Sequence, residues 1–123
     1  MLELHTHDDE TDFNPGDDVR VRLTWDLTAQ PESVALSLTW HTEGKGDRDS
    51  SVVETVELSD VQQKQSVDLS ITLPDGPYSF SGQLISLIWA LEAVAHPSGA
   101  SARRDIVLAP GKKEVTLGKV EDE

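Results

Sequence analysis

The sequence predicts an all-β protein, a two-sheet antiparallel sandwich of about eight strands. Apolar and polar residues alternate with a period of two in several segments, and a helix cannot satisfy that period. Proline, glycine, aspartate and serine separate these segments, as turns between strands require. We therefore expect one domain over residues 1–123, with its core in about residues 2–109 and a short strand and acidic tail in residues 110–123.

The alternation is cleanest in three segments, which we interpret as half-buried strands. They are residues 18–27, 34–41 and 66–73. The alternation is weaker elsewhere, and there we expect an edge strand in residues 2–5, an edge-type strand in 52–58 because Val53 breaks the pattern, a short strand around Tyr78 and Phe80, and strands in 102–108 and 114–120. Residues 6–16 are predicted to form a solvated acidic loop.

Residues 83–95 contain the longest apolar run and are predicted to form the central strand. A buried helix is the alternative, because leucine, alanine and glutamate are good helix formers. The strand is favoured because the neighbouring segments are all strands. A membrane span is not expected, because the uncharged run is shorter than the ~20 residues that a bilayer core requires.

The aromatic residues indicate which strand faces are buried. Trp25, Trp40 and Trp89 all fall on the apolar faces of their strands, so we expect all three in the core and no exposed indole platform for a carbohydrate. Ser79 and Ser81 alternate with aromatic residues and are expected to point outward.

The composition restricts the classes of partner. A formal net charge of -13 repels phosphate backbones and anionic lipid surfaces, so neither nucleic acid binding nor membrane insertion is expected. The absence of cysteine removes disulfides, thiolate metal sites and cysteine nucleophiles. Residues 1–10 show neither a basic nor an apolar signal region, which favours a cytoplasmic location.

Four segments carry short motifs that together point to a known family. Residues 69–74 read Leu-Ser-Ile-Thr-Leu-Pro, residues 76–82 read Gly-Pro-Tyr-Ser-Phe-Ser-Gly, residues 85–93 read Ile-Ser-Leu-Ile-Trp-Ala-Leu-Glu-Ala, and residues 13–19 read Phe-Asn-Pro-Gly-Asp-Asp-Val. These segments resemble the arrestin-like domain family, in which a segment like residues 13–19 starts an early strand. The resemblance implies a single arrestin-type sandwich, a stand-alone member of bacterial or archaeal type, and a generic immunoglobulin-like sandwich is the alternative.

Two departures from the family pattern limit what the resemblance implies about function. Arg20 or Arg22 replaces a glycine that often follows the early Pro-Gly, and the chain holds one sandwich where the eukaryotic proteins carry two. A receptor-regulating role depends on paired domains, so it does not transfer. No phosphate-sensing residue can be carried over to any position.

The densest group of potential metal ligands lies near the start of the sequence. His5, His7, Asp8 and Asp9 supply imidazole and carboxylate ligands that could hold calcium or zinc. The segment lacks the regular spacing of a calcium loop, and we therefore expect a solvated loop and no metal site there.

The sequence contains no signature of catalysis. It has no Gly-x-Ser-x-Gly, no phosphate-binding glycine loop and no dinucleotide fingerprint, so we expect neither an enzyme nor a cofactor. The leading hypothesis is a protein-interaction module that binds a protein partner or itself through a sheet edge or loop end. The alternative is a cation-dependent binding or regulatory domain that uses the acidic loops.

Overall fold

The computed structural model describes residues 1–44, 48–82 and 85–112, together with the backbone of Val115 and Thr116. In these ranges it contains seven strands of five or more residues and three strands of two residues. They are β1 (Leu2–Thr6), β2 (Asp12–Phe13), β3 (Asp18–Asp26), β4 (Ser33–Gly44), β5 (Ser50–Ser59), β6 (Lys64–Thr72), β7 (Phe80–Ser81), β8 (Ile85–His96), β9 (Ser101–Leu108) and β10 (Val115–Thr116). Short 3-10 turns occupy His7–Asp9 and Pro110–Lys112. Within the described part of the chain, no helix is long and apolar enough to cross a membrane.

The smaller sheet has three antiparallel strands in the order β1-β3-β6. Its register sets Leu23 of β3 between Leu4 of β1 and Val67 of β6. Alternate residues of β3 are buried, from Val19 to Trp25, because the period of two sends every second side chain to the same face. The other face carries polar and charged side chains.

The larger sheet is built on β8, which pairs with β4 along its whole length. On the far side of β4 lies β5. The other edge of β8 is shared: β9 pairs with Trp89–Val94, and β7 pairs at Leu87. The two short strands β2 and β10 add in parallel to β9 and β7, respectively.

The core lies between the two sheets and draws on every long strand. Its largest fully buried side chains include Trp25 and Trp89. The indole Nε1–H of Trp25 donates to the carbonyl oxygen of Gln62 at 2.8 Å, and that of Trp89 donates to the carbonyl oxygen of Pro77 at 2.7 Å. Each indole therefore fills core volume and also fixes a turn that crosses one end of the sandwich.

The structure confirms the all-β sandwich and most of the predicted strands. Residues 85–96 form a strand and not a helix, and residues 50–59 form an edge strand, as the broken pattern predicted. Residues 83–84 and the part of the predicted last strand outside Val115–Thr116 lie outside the described residues.

The prediction of a solvated loop over residues 6–16 is wrong in part. Thr6 is buried, and its hydroxyl donates to the carbonyl oxygen of Glu10 at 2.6 Å. Phe13 is a core residue, and its strand β2 pairs with β9. The segment is polar and yet packed, because two isolated inward-facing residues leave no periodic signal.

Two predictions about side-chain direction also need correction. Trp40 is only half-buried and packs against the margin of the core. Ser79 is 1% exposed, not outward-facing. Its hydroxyl oxygen accepts the N–H of Leu108 at 3.0 Å, and its own N–H donates to the carbonyl oxygen of Leu108 at 2.7 Å. The backbone N–H of Ser79 is a donor that any residue except proline would supply, whereas the hydroxyl acceptor for the N–H of Leu108 is one that an apolar side chain could not supply.

We expect replacement of either fully buried tryptophan to destabilise the fold strongly. Trp25→Ala or Trp89→Ala should each lower the free energy of unfolding by about 3–5 kcal/mol, because each leaves a cavity. Urea denaturation measures the loss. The control is Tyr78→Ala at an exposed position, which should cost about 0.5 kcal/mol. A loss below about 1 kcal/mol at both tryptophans would contradict the core described above.

Ser79→Ala should cost about 1–3 kcal/mol, because it leaves the N–H of Leu108 without its buried acceptor. Ser81→Ala is the matched control, since Ser81 is only half-buried, and it should cost about 0.5 kcal/mol. Equal losses at the two serines in urea denaturation would show that the Ser79 hydroxyl contributes nothing specific.

Candidate interaction surfaces

The candidate metal ligands lie at the junction of β1 and the 3-10 turn that follows it. His5 points outward from β1, and its Nε2 lies 3.4 Å from a carboxylate oxygen of Glu3. His7 lies in the turn, with its Nε2 3.3 Å from a carboxylate oxygen of Asp8. The carboxylate of Asp9 lies 3.9 Å from the guanidinium of Arg104.

These candidate ligands thus have separate neighbours and do not converge. In residues 1–44, 48–82 and 85–112, no three side chains of histidine, cysteine, aspartate or glutamate are placed to hold a metal ion together. The geometry of these ranges gives no support to the alternative of a cation site.

A groove of about 710 Å³ lies on the outer face of the smaller sheet. The charged and imidazole side chains in its lining are His5, His7, Asp8, Arg20, Arg22 and Asp68. Arg22 and Asp68 are cross-strand partners and form a two-pronged ion pair, with N–O distances of 2.8 and 3.1 Å. The hydrogen bonds from Arg22 hold the pKa of Asp68 below its usual range and raise that of Arg22.

The charges in this groove offset one another. Arg20 makes no ion pair with a described residue, but it faces the carboxylates of Asp8 and Asp68 in the same groove. The formal charges of the two arginines and two aspartates sum to zero. The groove therefore has no excess of one charge that would identify the charge of a ligand.

A second polar cluster crosses the outer face of the larger sheet. His41 of β4 lies between Glu43 and Arg103: its Nε2 is 2.8 Å from Glu43, and its Nδ1 is 3.1 Å from the Arg103 guanidinium. Arg103 also donates to Asp105 at 3.1 Å. An arginine can only donate, so Nδ1 of His41 accepts and Nε2 carries the hydrogen that Glu43 accepts. The buried Ala90 of β8 leaves room for this bridge from β4 to β9, which indicates a structural role.

The third candidate surface is the free edge of β5. Among the strands that the structure describes, β5 pairs only with β4, and β6 pairs only with β3. The two edges differ in their side chains: β5 exposes Val52 (64%) and Val53 (42%), whereas β6 carries none of the large apolar residues that are exposed. The edge of β5 is therefore the long free edge with apolar contact area.

A β-bulge divides this edge. Val52 lies opposite Thr39, and Glu54 lies opposite Leu38, so Val53 is the extra residue. The bulge accounts for the break in the alternation at Val53 that the sequence shows. The sequence thus located the edge strand, but a pattern cannot reveal which of its two sides is unpaired.

Comparisons with known proteins establish the fold alone. No protein-family model matches the chain, and no curated protein matches it in sequence. The structure is similar to the crystal structure of Spo0M, a sporulation control protein from Bacillus subtilis, with a TM-score of 0.65 and 14% sequence identity. The similarity covers 88% of this chain and 48% of that chain, so this chain spans about half the length of Spo0M. The fold is an all-β sandwich of the arrestin-like type.

We expect Arg22→Gln to raise the pKa of Asp68 toward the ordinary aspartate value, because the substitution removes the hydrogen bonds and charge that lower it. With the arginine present, the ion pair contributes stability above the ordinary pKa and loses it as the pH falls through the lowered pKa. An NMR titration of the Asp68 carboxyl carbon measures the shift. Arg103→Gln, on the other sheet, should leave it unchanged, and equal effects of both substitutions would mean that the pair is not formed.

Proposed function

We propose that the protein is a non-enzymatic interaction module of arrestin-like fold that binds a protein partner, or a second copy of itself, through a sheet edge. The observation that carries this proposal is the free edge of β5, over Ser50–Ser59. A strand at the edge of a sheet presents unpaired backbone N–H and C=O groups, and an added strand satisfies them. Backbone hydrogen bonds then supply affinity, and the side chains supply specificity.

The side chains of β5 support this edge over the edge of β6. Val52 and Val53 are exposed, although β-branched residues favour packed positions in sheets. On β6 the outward positions, such as Ser66 and Ser70, are small and polar. A partner strand on β5 would bury apolar surface in addition to forming backbone hydrogen bonds.

A pair of double variants tests the proposal. Val52→Lys with Val53→Lys should abolish edge binding, because lysines on an edge strand block pairing. Ser66→Lys with Ser70→Lys is the control: it adds the same charge to the free edge of β6. Proteins that cross-link to the wild type in cell extract should also cross-link to the β6 variant. They should not cross-link to the β5 variant.

Sedimentation measures self-association of the same three proteins. With a net charge of -13, two copies repel each other over about 10 Å at 0.1 M salt, so any association of the wild type should strengthen as salt rises. The β5 variant should remain monomeric at each salt concentration. A wild type that stays monomeric throughout and captures no partner would contradict the proposal, as would partners that bind both variants equally.

A further inference from the structure

We infer that the edge of β5 accepts an extended basic segment of another protein in preference to a second copy of this chain. This inference rests on the proposed function and names the chemistry of the partner. It is carried by two glutamates on the uninterrupted part of the edge, after the bulge. Glu54 and Glu57 are both exposed, and neither forms an ion pair with a described residue.

The register of β5 places these two carboxylates on opposite faces of the sheet. Glu54 lies opposite Leu38, whose side chain is buried in the core, so Glu54 points to the inner face. Glu57 lies opposite Ala35 and points to the outer face. Glu54 is nevertheless exposed, whereas Val56 on the same inner face is half-buried, because the smaller sheet does not cover this part of β5. A strand added beyond β5 would therefore meet a carboxylate on each of its faces.

The same two residues oppose pairing between copies. An antiparallel copy of β5 would bring four carboxylates to one pair of strands, without a lysine or arginine in Ser50–Ser59 to offset them. Like charges on neighbouring strands destabilise pairing, and inward-pointing charges are a known protection against edge association. The net charge of -13 on each chain adds long-range repulsion. The charge on this edge therefore disfavours a copy and attracts a basic strand.

The surroundings of the edge agree with this assignment. Asp60 directly follows β5, and Asp49 directly precedes it. Arg48 is the basic residue next to the start of β5. The bulge at Val53 separates it from Glu54 and Glu57. The preferred partner segment is accordingly rich in β-branched residues, with two lysines or arginines three residues apart, the spacing of the two glutamates.

The test uses synthetic peptides as probes. The first peptide consists of threonine and valine with two lysines three residues apart. The second peptide has glutamate in place of both lysines. The third peptide has its lysines two residues apart, so that both lysines face the same side of the strand. Binding is followed through the backbone amide resonances of the full chain. The first peptide should shift the resonances of β5, bind more weakly as salt rises, and bind more tightly than the other two.

Charge reversal identifies the residues responsible. Glu54→Lys with Glu57→Lys should weaken binding of the lysine peptide by about tenfold, since two attractive cross-strand pairs become repulsive, and should create binding of the glutamate peptide. Glu3→Lys with Asp75→Lys is the matched control, because it makes the same change in net charge at exposed positions off this edge. It should leave β5 as the binding site and reduce affinity far less. Urea denaturation checks that both variants fold.

Three results would overturn the inference. They are equal weakening by the two double variants, resonance shifts outside β5, and no binding of the lysine peptide. If the charge reversal has no effect while the valine-to-lysine variant still loses a partner or self-association, the proposed edge function stands and only the assignment of a basic segment fails. If the valine-to-lysine variant also changes nothing, the edge function fails with it.

Discussion

The pairing of β4 with β8 is the constraint on which the rest of the structure depends. The two strands match residue for residue, from Ser33 opposite His96 to Gly44 opposite Ile85. This ladder makes β8 an interior strand with one remaining side, which β9 and β7 divide between them. It also leaves β4 with one remaining side, which β5 occupies. Among the described strands, the larger sheet ends at β5 on one flank. On the other flank it ends at β9, which pairs on its outer side with β2 only at Val107 and Leu108, and at the short strand β10.

The unequal width of the two sheets determines which side chains of β5 are covered and which are exposed. Three strands of the smaller sheet face a larger sheet built on β5, β4, β8 and β9. The core is fully closed where the sheets overlap, around Trp25 and Trp89, and it opens toward β5, where Val56 and Leu58 are half-buried and Glu54 is exposed. A hydrophobic residue at position 54 would extend the apolar edge and favour aggregation. The glutamate keeps the edge soluble and leaves its backbone groups available.

Sequence reasoning succeeded where a residue's surroundings repeat along a strand. The period of two in β3, β4 and β6 predicted both the strands and their buried faces, because every second side chain meets the same core.

Sequence reasoning failed where single residues act alone. Ser79 is buried for its hydrogen bonds with Leu108, and Thr6 for its bond with Glu10, and neither residue has a periodic neighbour. Trp40 was predicted as core from its strand face, but it is only half-buried, although Thr42 on the same face and nearer the end of β4 is buried. The edge itself was predicted from the break at Val53, but its unpaired side, and so the candidate site, required the pairing of distant strands.

The fold shows which of the acidic residues lie beside a cation and which do not. On the smaller sheet Asp68 is paired with Arg22, and on the outer face of the larger sheet Asp105 is paired with Arg103. On β5 the carboxylates of Glu54 and Glu57 have no such partners among the described residues. Unmatched charge on an exposed strand costs little in water, but it would cost much more beside a second unmatched strand. In the proposed interaction, the side chains of β5 would thus discriminate between strands that its backbone would accept equally, so that the edge would be both open and selective.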